Sequence, residues 1–282
     1  MCIRDSRRAP RRPGLQKMFE LAEVNPANLT EQHIGFTIAP RLNAIGRLGD
    51  ANPVVEFLTT SDAQTIAVTA ARLEGLNSER RFLTEQVFMG ALSQIERNPT
   101  VLEAPVLLLS HPDWPAGVVG IVCNRLVELF QRPVILLSNP PGSPMRGSAR
   151  SIEGVNITKA ISADREYLLG FGGHPMAAGL ALDSQNLPAF QQKLNQAVRS
   201  QIGDKPLVRE IQIDANLELD QIQPELIAEI DQLAPFGAGN PPLVYATGNL
   251  RIADSSPIGR TGEHLQVLVE DTRGQTRRVI WW

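Results

Sequence analysis

Cysteine is nearly absent: Cys2 and Cys123 are the only two among 282 residues. Two thiols cannot build a metal cluster or a disulfide framework, and thiol catalysis is not expected. Long apolar runs are also missing. No stretch approaches the ~20 consecutive apolar residues of a membrane helix, and the start lacks the apolar core of a signal peptide. The expectation is therefore no membrane partner and a cytoplasmic location. Nor is one sign of charge in excess, with 27 Lys and Arg against 30 Asp and Glu for a net charge of −3. This excludes a chain that coats nucleic acid by bulk charge, so any grip on such a polymer must come from local sites. What is present is 43% hydrophobic residues, enough at this length for two domains with buried cores.

Residues 1–13 carry Arg4, Arg7, Arg8, Arg11 and Arg12 with little to bury. They read as a disordered or artefactual leader, with a nucleic-acid arm as the alternative. A helical pattern covers residues 14–24. The glycine- and arginine-punctuated stretch over 34–53 is expected to be shaped by something other than core packing. Ser61 and Gln64 form a capping box, and Leu73, Leu76, Leu83, Val87, Ala91 and Ile95 then recur at helical spacing up to Asn98-Pro99. Such a helix of about 35 residues spans ~50 Å, a length suited to a strut between two lobes.

After Pro105 the pattern turns α/β. Apolar runs at 106–109 and 134–137 flank a helix at 118–130, which predicts a partly parallel sheet. The turn-rich loop SNPPGSPMRGSARS follows, then a helix at 157–163, a glycine cluster at 170–173, a strand at 180–182 and a helix at 187–202. Residues 204–206 read as a linker. Beyond them Ile211, Ile213, Ala215, Leu217 and Leu219 alternate as in a half-exposed strand. Asp220 is expected to cap a helix reaching residue 233, and strands are expected at 250–253, 265–269 and 278–282. This last module stops inside a strand, so a truncated barrel is expected.

Four segments carry chemistry. In Gly172-Gly173-His174-Pro175-Met176-Ala177-Ala178-Gly179, the glycines let backbone approach a ligand and the imidazole can donate to a phosphate oxygen. Taken alone, such a segment is more often an ordinary glycine turn with a structural histidine. In Ser148-Ala149-Arg150-Ser151, preceded by Arg146, an arginine fork and flanking hydroxyls suit phosphate, with no acid from 138 to 152. An ordinary polar loop is the alternative. His111 and Trp114 precede a glycine-opened helix, where Trp114 could stack on a base or simply pack the lobe. Arg41, Asn43 and Arg47 could track a sugar-phosphate backbone, although residues 41–81 hold five arginines and five acids.

Together these segments resemble the RecJ family of DHH-type phosphoesterases. The matching stretches are IAPRLNAIGRLGDA, HPDWPAGVVGIVCNRL, GSARS, GFGGHPMAAGL and LAPFGAGNP, five in register across residues 14–282. The resemblance implies an α/β DHHA1-like lobe with a mixed sheet (104–203). A long connecting helix (58–98) would join it to the remnant of a DHH lobe (14–57). A truncated β-rich OB-like domain (207–282) would follow.

By the same resemblance the whole enzyme is a single-stranded-DNA-specific 5′ to 3′ exonuclease that hydrolyses phosphodiesters with two Mn²⁺ or Mg²⁺ ions. His174 would take a catalytic part from the wall facing the metals. Arg150, Ser148, Ser151, Gly172, Gly173, Arg41, Asn43, Arg47, His111 and Trp114 would bind substrate. The family's metal-holding Asp-His-His is not in this sequence, so the metals are assigned to a DHH segment outside it and no metal ligand is named here. The implied partner is single-stranded DNA, with single-strand-binding protein as a second. The chain is expected to bind strands but to be inactive alone. A non-catalytic scaffold that binds single-stranded nucleic acid is the rival reading, and an enzyme of short oligonucleotides or cyclic dinucleotides is a third.

Overall fold

The computed structural model describes residues 12–163, 165–203, 211–259 and 262–282. The chain forms two compact units, Met1–Arg209 and Glu210–Trp282. The expected linker at 204–206 and most of the expected leader lie outside the described residues. Arg12 and Pro13 do not belong to a leader: Pro13 opens helix α1 (Pro13–Leu21), and Arg12 donates to the Leu58 carbonyl at 3.1 Å. Proline suits that first helical position because its missing N–H would have had no partner there.

The first unit begins as a helical cluster. A π-type segment, His33–Ile38, runs into α2 (Ala39–Leu48), and α3 (Asn52–Thr59) follows. The stretch over 34–53 is thus shaped by packing after all. Ile38 and Ile45 are buried, and they share a core with Met18, Leu29, Phe57 and Leu73. Each such side chain contributes roughly 1.5–3 kcal/mol through burial.

Helix α4 (Ala63–Arg97) is 35 residues long. Its cap is Asp62, whose carboxylate accepts from the Thr65 N–H at 2.7 Å, rather than Ser61. The helix is more than a strut. Ile66, Ala70 and Leu73 pack into the helical cluster, while Val87, Ala91 and Ile95 pack against the sheet that follows.

That sheet has five strands in the order β1-β2-β3-β5-β4. β1 (Leu107–His111) and β2 (Val134–Ser138) are parallel, joined by α5 (Ala116–Phe130). β3 (Met145–Arg150), β5 (Ala177–Leu182) and β4 (Leu168–His174) add antiparallel neighbours. Half of the expected 138–151 loop is therefore strand, and so is the glycine cluster at 170–173. Close backbone approach explains one glycine in the first segment, since a Cβ on Gly147 would lie 2.2 Å from the Leu136 carbonyl oxygen. Helices α6 (Ile157–Ser162) and α7 (Leu187–Ile202) cover one face over Leu108, Ile135, Leu137, Ala149, Leu180 and Leu182. Helices α4 and α5 cover Leu107, Leu109, Val134 and Leu136 on the other face.

In the second unit β6 (Ala215–Asn216) pairs with β7 (Tyr245–Ala246), and β8 (Arg251–Ile258), β9 (His264–Glu270) and β10 (Thr276–Trp281) form an antiparallel sheet. The strand expected over 211–219 is reduced to two residues, because Ile211 and Ile213 find nothing to bury against and stay exposed. The helix expected from residue 220 is split into a 3₁₀ turn at Leu219–Gln221, closed by a Glu218–Gln221 capping box, and α8 (Pro224–Asp231). Proline cannot continue a helix and so opens the second piece. No described helix is long and apolar enough to cross a membrane.

Candidate nucleic-acid interface

The register of the five-stranded sheet determines which side chains share a face. Arg150 pairs with Val134 on one side and Ala177 on the other, and Ala177 pairs in turn with His174. Paired residues point the same way from a sheet, so Arg150 and His174 project from the face where α5 lies, two strands apart and about 10 Å between their Cα atoms. Two residues along, Leu136, Ser148, Gly179 and Gly172 form a parallel row. A third row runs Ser138, Arg146, Ala181 and Gly170.

Helix α5 covers this face only over its apolar side. Its Gly120 lies against β3, where a Cβ would stand 3.1 Å from Arg150 Nη2 and 3.2 Å from Ser148 Oγ. Beyond β3 the face is open, with β4 exposed from Leu169 to His174 and nothing within 4 Å of a Cβ on Gly170 or Gly172. The result is a smooth shelf holding Arg150, Ser148, Arg146 and His174, and none of its rows contains an acid. Among the described residues Arg150 makes one hydrogen bond, from Nη1 to the Ala149 carbonyl at 2.8 Å. It has no carboxylate partner among the described residues.

Three main-chain carbonyls anchor the His174 hairpin. The His174 carbonyl accepts from Thr158 Oγ1 at 2.5 Å, that of Pro175 from the Ile157 N–H at 2.9 Å, and that of Met176 from the Ser151 N–H at 3.0 Å. The imidazole itself has no hydrogen-bond partner among the described residues and is exposed. Gly173 adopts φ +152, and a Cβ there would lie 2.3 Å from the Ala177 carbonyl oxygen. It shapes the hairpin and does not join the shelf, because it alternates to the opposite face from His174.

Other expected ligands are engaged elsewhere. Ser151 is buried and donates to the Val155 carbonyl at 2.7 Å, so its hydroxyl secures a loop instead of facing the shelf. Arg41 pairs with Glu74 at 2.7 Å and donates to the Thr37 carbonyl at 2.7 Å, with its side chain 16% exposed. That engagement corrects its assignment as a free phosphate contact. Trp114 is 5% exposed and packs the core between α4 and α5, with His111 stacked on it at 5.7 Å. It is a packing residue here, while His111 is half-exposed at the end of β1.

Asn43 and Arg47 remain exposed on α2. Arg47 reaches the start of α5, donating to the Gly117 carbonyl at 3.2 Å. Gly117 and Gly120 are three residues apart, about one helical turn, so one face of α5 meets Arg47 and Arg150 in succession. One basic residue near this region, Arg80, carries no signal in the sequence. Arg80 is pushed below the ordinary arginine value by burial first, then by the charges of Arg47 and Arg81, and its Nε is buried without a hydrogen-bond partner among the described residues. Arg146 shares the shelf with Arg150. Its even spacing from Ser148 and Arg150 puts all three on one face of a strand.

Among the described residues no group of three or more His, Cys, Asp or Glu is placed to hold a metal ion. The described side chains do not fit a divalent-metal centre.

The α/β lobe is followed along the chain by a small β-rich unit. The DHHA1 domain model matches residues 98–200, and the RecJ OB domain model matches residues 213–282. The chain belongs to the RecJ family. It is 32% identical over 269 residues to the single-stranded-DNA-specific exonuclease RecJ of Bacillus subtilis, covering 95% of this chain and 34% of that protein. It is 32% identical to that of Escherichia coli, covering 93% and 46%. The crystal structure of RecJ with Mn²⁺ from Thermus thermophilus superposes with a TM-score of 0.83 at 29% identity, over 99% of this chain and 39% of that one. A Mg²⁺ complex of the same protein gives 0.82. The chain thus spans between a third and a half of the length of these curated relatives.

Proposed function

We propose that this chain grips single-stranded DNA for a phosphodiester-hydrolysing exonuclease, with the shelf of the five-stranded sheet as the phosphate-binding surface. The observation that carries the reading is the shared register of Arg150 and His174 on Ala177. It puts a guanidinium and an imidazole, both without acidic partners among the described residues, on one open face. Arg150 supplies a planar fork for a phosphate, Ser148 a hydroxyl, and His174 a donor from the other side. Holding a phosphate there orients the strand and offsets its charge. The glycine and alanine rows between these residues offer no group that reads a base edge, which fits binding to any sequence. In the second unit Trp281 and Trp282 are exposed and available for base stacking.

The 5′ to 3′ polarity and the bond-breaking chemistry come from the family resemblance, and the residues assigned here are those that hold the strand. The test is titration of a labelled, 5′-phosphorylated oligonucleotide with this chain, with and without Mn²⁺. Saturable binding with no cleavage is expected. Brisk metal-dependent hydrolysis would overturn the division of labour, and lack of any binding would overturn the grip.

A further inference from the structure

We propose that Arg146 forms a second phosphate subsite, one step along β3 from the Arg150 site, so that this strand holds two points of a single-stranded backbone at a fixed spacing. The inference rests on the shelf being a DNA-binding surface and goes beyond it by assigning a residue and a span.

Arg146 and Arg150 lie four residues apart on one strand and therefore project from the same face. At ~3.3 Å per residue their Cα atoms are about 13 Å apart, on the order of two nucleotides of extended backbone. The spacing is rigid. β3 is paired on both sides from Arg146 to Arg150, with β2 and with β5. Gly147, between the two arginines, seats β3 directly on the Leu136 carbonyl. Arg146 is exposed and has no carboxylate or hydrogen-bond partner among the described residues. Its neighbours across the sheet are Ser138 on one side and Ala181 followed by Gly170 on the other, so nothing longer than a methyl group stands between it and the open edge. A solubilising arginine on a sheet needs neither the alignment with Arg150 nor this cleared lane.

The experiment measures binding of two probes, a 20-residue oligothymidylate bearing a 5′-phosphate and the mononucleotide thymidine 5′-monophosphate, over a series of salt concentrations. Variants are R146A, R146K and R150A, each checked for an unchanged thermal melt. For the long strand R146A is expected to lose roughly tenfold in affinity at low salt, and its log K against log salt slope should fall by about 0.7, the contribution of one phosphate contact on single strands. R146K should keep most of both, because a single phosphate contact needs charge more than a fork. Mononucleotide binding should change with R150A and not with R146A. An unaltered slope for R146A with a weakened R150A overturns the second subsite alone. Equal losses of mononucleotide binding in R146A and R150A overturn it too, by merging the two sites. If R150A also leaves both probes unaffected, the shelf is not the DNA surface and the reading beneath this one fails.

Discussion

Gly117 leaves empty the space that the backbone of Arg47 fills. A Cβ on Gly117 would stand 2.0 Å from the Arg47 carbonyl oxygen, and Arg47 Nη1 donates back to the Gly117 carbonyl at 3.2 Å. The end of α2 is thereby locked to the start of α5 through main chain on both sides. Gly117→Ala is expected to cost about 1–3 kcal/mol, as overpacking against atoms that cannot swing away does. A urea titration checks this, and an unchanged midpoint refutes it. Gly120→Ala meets only the ends of Arg150 and Ser148, so it should shift stability by less than ~1 kcal/mol while weakening strand binding.

The glycines of the β4–β5 hairpin should separate by role. Gly172 has open space where a side chain would project, whereas Gly173 has φ +152 and the Ala177 backbone against it. Gly173→Ala is expected to destabilise the lobe by roughly 1–3 kcal/mol. Gly172→Val should melt normally and bind single strands several-fold less well, because its side chain would stand on the shelf. Normal binding by a folded Gly172→Val chain would show that the shelf is not used.

His174→Ala and Arg150→Ala should each weaken binding of a 5′-phosphorylated strand by about 1–3 kcal/mol, the range for a charged hydrogen bond. Because both flank Ala177, the double variant should lose less than the sum. Strict additivity in the cycle would mean that they serve separate phosphates.

Arg41 tests the opposite case. Its partly buried pair with Glu74 joins α2 to α4, and Arg41→Ala is expected to lower stability by about 1 kcal/mol. Its salt dependence of DNA binding should match that of the unaltered chain. A reduced slope would return Arg41 to the binding surface.

Cys123 supplies a pH dependence. Burial pushes its thiol from 9.0 up to about 12, and its Sγ donates to the Ser148 carbonyl at 3.2 Å. The folded chain holds this proton more tightly than the unfolded chain. The resulting stability is complete below pH 9 and is lost progressively as pH rises from there towards 12. In a Cys2→Ser background the remaining thiol should resist alkylation at pH 8.5 until urea unfolds the lobe. Rapid labelling of the native chain would contradict its burial.

How much of this was legible without coordinates differs from segment to segment. The helix ending at Asn98-Pro99 and the buried runs around Leu108 and Leu136 follow from apolar period alone, since a one-dimensional pattern records which face must leave water. The strands at Met145–Arg150 and Leu168–His174 were hidden. Glycine and proline signal turns locally, and only the ladders to β2 and β5 make these segments extended. The π-type entry to α2 was equally silent.

The sequence by itself determined the family, the alternation of helices and strands, and the residue types able to meet a phosphate, because motif spacing and hydrophobic period are written along the chain. Only the tertiary structure decided which arginines are free for that task. Arg41 and Arg150 are chemically the same, but one faces Glu74 across a helix pair and the other faces open shelf. A charge's partners depend on neighbours distant in sequence, and those are settled when the sheet and helices pack.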